Sequence, residues 1–202
     1  MKCSNAFSGS RIVMAPVFFV IFFLPTWFGF SEKITVLLLI PLFIFLEFTD
    51  FLDGYFARKL NEVTDFGKHF DPFCDALANL TILMCFVLLS YAPVIFFLII
   101  MYREFGITFL RMIATKQGIV IPAKMGGKVK TVMYIVSMGF SLLIRTLNAF
   151  FTIQETLLLF LKWTNYTLYI IAVLLSVVTF VDYQRSYKKL IESKNHGNID
   201  NR

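Results

Sequence analysis

Runs such as IVMAPVFFVIFFLPTWF and TLYIIAVLLSVVTFV leave this chain few ways to fold. A stretch of about 20 apolar residues crosses a bilayer as a helix. Inside lipid, where no water is at hand, a helix satisfies every backbone N–H and C=O from within. Apolar stretches of this kind can be read at 12–28, 34–57, 74–91, 93–115, 129–147 and 157–182. The expectation is an all-α, polytopic membrane protein with about six transmembrane helices. They form one integrated domain over residues 1–185, followed by a polar tail over 186–202. With 58% of 202 residues apolar and only 16% charged, no sizeable soluble domain fits. Pro25 and Gly29 punctuate the first connection, and SYAP at 90–93 makes the third very short. Lys2 and Arg11 precede an apolar run, as in a signal peptide. That run holds no A-x-A cleavage site, so it is expected to stay as the first span.

Orientation follows from the basic residues. The amino end carries Lys2 and Arg11, the second connection Arg58, Lys59 and Lys68, and the fourth Lys116, Lys124, Lys128 and Lys130. The tail adds Arg185, Lys188, Lys189, Lys194 and Arg202, whereas the alternate connections hold only Lys33, Arg145 and Lys162. The positive-inside rule places both termini and the second and fourth connections in the cytoplasm. Cys3, Cys74 and Cys85 are too few and too far apart for a disulfide framework or a zinc site, so they read as apolar fillers. His69 and His196 stand alone and read as solvated residues.

Against this background the stretch DFLDGYFARKLNEVTDFGKHFDPFCD is anomalous. Asp50, Asp53, Gly54 and Ala57 follow i, i+3, i+4 and i+7, one face of the second span. Gly67, Asp71 and Asp75 follow i, i+4 and i+8, one face at the start of the third. A reversal through the polar KLNEVTDF brings these faces together at the cytoplasmic end of the membrane. Any one Asp reads most simply as a helix cap, and small residues on a membrane helix usually serve packing. Four aligned carboxylates are different. They cannot all stay ionised in a partly desolvated site without counter-charge, and intramembrane acids are normally functional. Divalent cations answer the need, and all-oxygen donors favour magnesium, manganese or calcium. Two ions about 3.5–4 Å apart suit a phosphate-rich substrate. Arg58 can pair with phosphate oxygens.

These residues spell D-x2-D-G-x2-A-R-x8-G-x3-D-x3-D, with Asp50, Asp53, Gly54, Ala57, Arg58, Gly67, Asp71 and Asp75 at the fixed positions. The pattern resembles the signature of the CDP-alcohol phosphotransferases, whose six-helix membrane fold agrees with the spans above. Within that family, REFGITFLRMIATKQGIVIPAKMGGKVKT looks like the corresponding region of phosphatidylglycerophosphate synthases, and SNAFSGSRIVMAPVF is loosely similar to their amino end through Asn5 and Arg11. Ala76 and Tyr134 depart from it, standing where relatives often place Lys and Gln.

The resemblance implies transfer of the phosphatidyl group of CDP-diacylglycerol to sn-glycerol 3-phosphate, with CMP leaving. It implies that Asp50, Asp53, Asp71 and Asp75 hold two magnesium or manganese ions, and that Asp75 is also the general base. Gly54, Ala57, Arg58 and Gly67 would bind CDP-diacylglycerol. Arg103, Arg111, Lys128 and Lys130 are the candidates for the acceptor phosphate. The structural alternatives are that Glu104 simply neutralises Arg103 and that Lys128 and Lys130 only set topology. The implied setting is the cytoplasmic membrane and its lipid bilayer, with a homodimer and no nucleic acid. Rival acceptors within the family are inositol phosphate, choline and phosphatidylglycerol; choline, a cation, would want an aromatic cage rather than basic residues. A divalent-cation transporter would place acids at mid-membrane within two related halves, and no repeat is visible here. A purely structural scaffold leaves the aligned aspartates unexplained.

Overall fold

The computed structural model describes the backbone over residues 3–60, 65–118 and 125–199, and side chains over 9–49, 70–118 and 126–192. The described residues form six α-helices: α1 (Cys3–Phe28), α2 (Glu32–Leu60), α3 (Asp65–Leu88), α4 (Val94–Lys116), α5 (Met125–Phe150) and α6 (Glu155–Ile199). Stretches in α1, α3, α5 and α6 are long and apolar enough to cross a membrane. The other two helices are of comparable length, 29 and 23 residues. They are interrupted by charge: Glu32, Lys33 and Glu47 in α2, and Arg103, Glu104 and Arg111 in α4. Large apolar side chains face outward from all six helices, among them Val13, Ile34, Phe73, Phe109, Val136 and Leu174. A soluble protein would bury such a surface; lipid tails cover it here.

The helix ends follow from local chemistry. Pro25 does not break the first helix but lies in its last turn. The terminator is Gly29, whose φ of +65° suits a residue without a Cβ and whose N–H donates to the Pro25 carbonyl at 3.0 Å. Helix α3 ends in a Schellman turn, with Ser90 at φ 61°. There Tyr91 N–H donates to Phe86 O (2.8 Å), Ser90 N–H donates to Val87 O (2.9 Å), and the Phe86 and Tyr91 rings meet edge-on. Helix α6 does not stop where the apolar stretch does. It continues through the expected polar tail to Ile199, since nothing from Tyr183 to Glu192 disfavours a helix and Lys188 and Glu192 stand at i and i+4.

Helix α1 packs against both α2 and α3, α3 against α4 and α5, α5 against α2 and α6, and α4 against α6. Thus α3 and α5 are central, and α1 is the shared neighbour of the two acid-bearing helices. Between α1 and α3 the core is aromatic: Phe18, Phe22 and Phe86 are fully buried, and the Phe22 and Phe86 rings stand at 88° with centroids 5.2 Å apart. The reversal expected at 61–64 lies outside the described residues.

At the end of the bundle away from the aspartate motif, Arg145 is buried in α5 rather than exposed in a connection. Its guanidinium donates to Glu32 (3.1 and 3.2 Å) and to the Phe22 carbonyl (3.0 Å), and lies over the Phe22 ring. One side chain therefore ties α1, α2 and α5 together. Glu32→Gln removes the countercharge from a buried cation. Because Glu32 is half-exposed, the expected cost is about 1–2 kcal/mol, below that of breaking a fully buried pair. Thermal unfolding in detergent measures it.

Candidate active site

The last turns of α2 carry Asp50, Asp53, Gly54, Ala57 and Arg58, and the first turns of α3 carry Gly67, Asp71 and Asp75. Both segments are helical, so each spacing does define one helix face. The side chains from 50 to 69, and the surroundings of Gly54 and Gly67, lie outside the described residues. Asp71 and Asp75 are described, and both are half-buried. Asp75 forms an ion pair with Arg11 of α1, a side chain that is only 3% exposed. A guanidinium taken out of water needs a carboxylate, and the pair fixes where the Asp75 oxygens stand. Among the described residues no three His, Cys, Asp or Glu side chains gather around one point; Asp71 and Asp75 are two of the four expected metal ligands. Cys74, beside Asp75, and Cys85 are both buried, and neither is in a disulfide.

The second cluster lies between α4, α5 and α6 at the same end of the bundle. Glu104 is its hub. It accepts from Arg103 Nη1 (3.1 Å) and from Tyr134 Oη (3.2 Å), and it is ion-paired to Lys130. Arg103 Nη2 donates to Thr179 Oγ1 at 3.1 Å, and the Tyr134 hydroxyl also lies 2.7 Å from Ser176 Oγ, whose O–H can donate to it. Arg103, Lys130, Tyr134 and Ser176 are all buried. The helices can approach this closely because α4 and α5 present glycines to α6. A Cβ at Gly106 would come within 3.1 Å of the Phe180 ring, and one at Gly126 within 3.0 Å of the Thr179 methyl. Arg111, two turns along α4 from Glu104, is half-buried over the Tyr183 ring at 5.7 Å and within electrostatic reach of Lys130. Arg103, Arg111 and Lys130 with one carboxylate leave two positive charges without a partner of opposite sign among these residues.

Residues 1–179 match the family model for CDP-alcohol phosphatidyltransferase. The chain belongs to this family. It is similar, at 34% identity over 198 residues, to a CDP-diacylglycerol--glycerol-3-phosphate 3-phosphatidyltransferase of Treponema pallidum (strain Nichols), covering 95% of this chain and 92% of that one. A protein of the same name from Bacillus subtilis (strain 168) is 39% identical over 145 residues, 69% of this chain and 75% of its own. Another, from Rickettsia felis, is 30% identical over 185 residues, 92% of this chain and 94% of its own.

Of the four basic residues singled out from this family's second half, three converge. Arg103 and Lys130 share Glu104, Arg111 stands beside them, and Lys128 is exposed and apart. The pairing of Glu104 with Arg103, weighed from the sequence as a structural alternative, is present. Arg11 was read as a topology charge at the amino end, yet it is buried against Asp75. Its position at the head of an apolar run was the available signal, since an intramembrane arginine needs a partner. Tyr134, a departure from the pattern of relatives, is a buried bridge from Glu104 to Ser176. Nothing in its sequence context pointed there. Glu104→Leu strands two buried cations and should lower stability by about 3–5 kcal/mol. Tyr134→Phe removes a hydrogen bond to that carboxylate but strands no charge, and should cost less, about 1.5–3 kcal/mol. Thermal unfolding of the two variants in detergent orders them.

Proposed function

We propose that this protein transfers the phosphatidyl group of CDP-diacylglycerol to sn-glycerol 3-phosphate, giving phosphatidylglycerol phosphate and CMP. The reading is carried by one juxtaposition: the complete aspartate signature lies on the ends of α2 and α3, at the same end of the bundle as a cluster with two surplus positive charges. The first suits a pyrophosphate donor, the second a phosphate monoester acceptor. The names of the relatives agree with it.

Four carboxylates on two helix ends form an all-oxygen donor set, which suits a hard cation. Asp50, Asp53, Asp71 and Asp75 would hold two magnesium or manganese ions. Bound there, the ions neutralise the pyrophosphate of the donor and the charge on departing CMP. Arg58 pairs with donor phosphate, while Gly54, Ala57 and Gly67, small or without side chains, leave room for the cytidine against the backbone. Asp75 takes the proton from the acceptor hydroxyl as its oxygen attacks the lipid-bearing phosphorus. A new P–O bond forms as the bond to the CMP oxygen breaks. Arg11 orients the Asp75 carboxylate for that transfer. Arg103, Arg111 and Lys130 hold the acceptor phosphate, with Glu104 fixing two of them. Positioning and charge neutralisation supply most of what phosphoryl transfer requires. The positive-inside count puts this end of the bundle, both termini and the helical extension of α6 on the cytoplasmic side of the cell membrane. A homodimer completes the proposal.

Purified protein in detergent, given CDP-diacylglycerol, magnesium and a panel of alcohols, should release CMP with glycerol 3-phosphate and not with inositol phosphate, choline or phosphatidylglycerol. Release with another of these and not with glycerol 3-phosphate would overturn the acceptor. Chelation should stop turnover, and magnesium or manganese should restore it. Asp75→Asn should reduce kcat by about 10²- to 10⁴-fold, the usual worth of a general base. Arg111→Gln should raise KM for glycerol 3-phosphate about 10- to 100-fold, as expected for a lost hydrogen bond to a charged group, with KM for CDP-diacylglycerol unchanged.

A further inference from the structure

The α4–α6 seam is polar along its length at the motif-bearing end. Thr179 of α6 meets Arg103, Phe180 meets Gly106, Tyr183 lies under Arg111, and the Tyr187 hydroxyl donates to Gln117 Oε1 at 3.3 Å. Two polar atoms on that seam are buried without a hydrogen-bond partner, and the first is a hydroxyl. Tyr183 is 6% exposed and its hydroxyl is buried, yet no described residue accepts from it or donates to it. Arg103 Nε, on the same seam, is likewise buried without a hydrogen-bond partner. A buried hydroxyl left unpaired costs about 1–3 kcal/mol, and Phe would fill the same volume without that cost. Buried polar groups are almost always hydrogen-bonded, so an orphan calls for a reason. Thr179 and Tyr183 stand at i and i+4 on α6, which puts Tyr183 one turn along the same face from the residue that Arg103 touches.

We propose that Tyr183 is a substrate-binding residue: its hydroxyl donates a hydrogen bond to a phosphate oxygen of the acceptor, beside Arg111. The proposal rests on the reading of the basic cluster as the acceptor-phosphate pocket. It also goes past the family comparison, which ends at residue 179. A phosphate dianion presents several acceptor lone pairs, more than three cations saturate, and a neutral donor adds directionality without adding charge. The ring itself serves as the platform for the Arg111 guanidinium.

Tyr183→Phe separates the hydroxyl from the ring. KM for glycerol 3-phosphate should rise about 10- to 100-fold, the net worth of one hydrogen bond to a charged group. KM for CDP-diacylglycerol should not move, and Tm should hold or rise. Calorimetric binding of glycerol 3-phosphate should weaken by the same factor, which gives a readout independent of turnover. An unchanged KM and affinity would overturn the proposal, and so would a fall in Tm, which marks a structural hydroxyl. If the wild type uses another phosphorylated alcohol instead, the acceptor reading fails and the same comparison on that alcohol decides Tyr183. Wild-type turnover only with an unphosphorylated acceptor would overturn both.

Discussion

A charge that enters a bilayer needs a partner, and this bundle is organised by how its helices supply them. Arg11 of α1 meets Asp75 of α3, Glu104 of α4 meets Lys130 of α5, and Arg145 of α5 meets Glu32 of α2. Lipid offers no apolar driving force between one apolar helix and another, so packing alone orients such helices weakly. Each pair instead demands a particular rotation and depth of the two helices that make it. The charges that interrupt the apolar runs of α2 and α4 are thus among the contacts that place them.

The same economy joins stability to chemistry. Glu104 neutralises enough of its cluster for three cations to share a small space, and leaves two positive charges over. Replacing it by an apolar residue would add net positive charge only at the cost of stability, because two cations would then be buried without compensation. Arg11 stands in a similar relation to Asp75. Its burial in an apolar segment is tolerable because the carboxylate is there, and the pair fixes where that carboxylate stands. At the far end Arg145 is held by a carboxylate, a backbone carbonyl and an aromatic face.

Much of the architecture is legible in the chain because lipid permits so little. Apolar runs have to be helices, and their order in sequence is their order through the membrane. Where the expectation and the structure differ, the cause is local. Pro25 reads as a breaker, but near a helix end the carbonyl it leaves free is cheap, and Gly29 makes the stop. The polar tail reads as a separate segment because hydropathy changes there, whereas helix formation depends on backbone geometry, and α6 runs on. Of the signature, its helical placement on α2 and α3 is visible, and Asp75 is seen in its ion pair. The basic residues were legible as candidates but not as a group: Arg103 and Lys130 lie 27 positions apart in the chain, and only the crossing of α4 and α5 brings them to one carboxylate.

The sequence by itself determined the number of helices, their alternation, the family and the faces on which the aspartates stand, because each depends on spacing along a single helix of known pitch. Tertiary structure alone decided which charge meets which: that Arg11 serves Asp75, that Glu104 gathers Arg103, Lys130 and Tyr134, and that the Tyr183 hydroxyl is left with none. Pairing between helices depends on rotation and depth, which intrahelical periodicity leaves free until the helices pack.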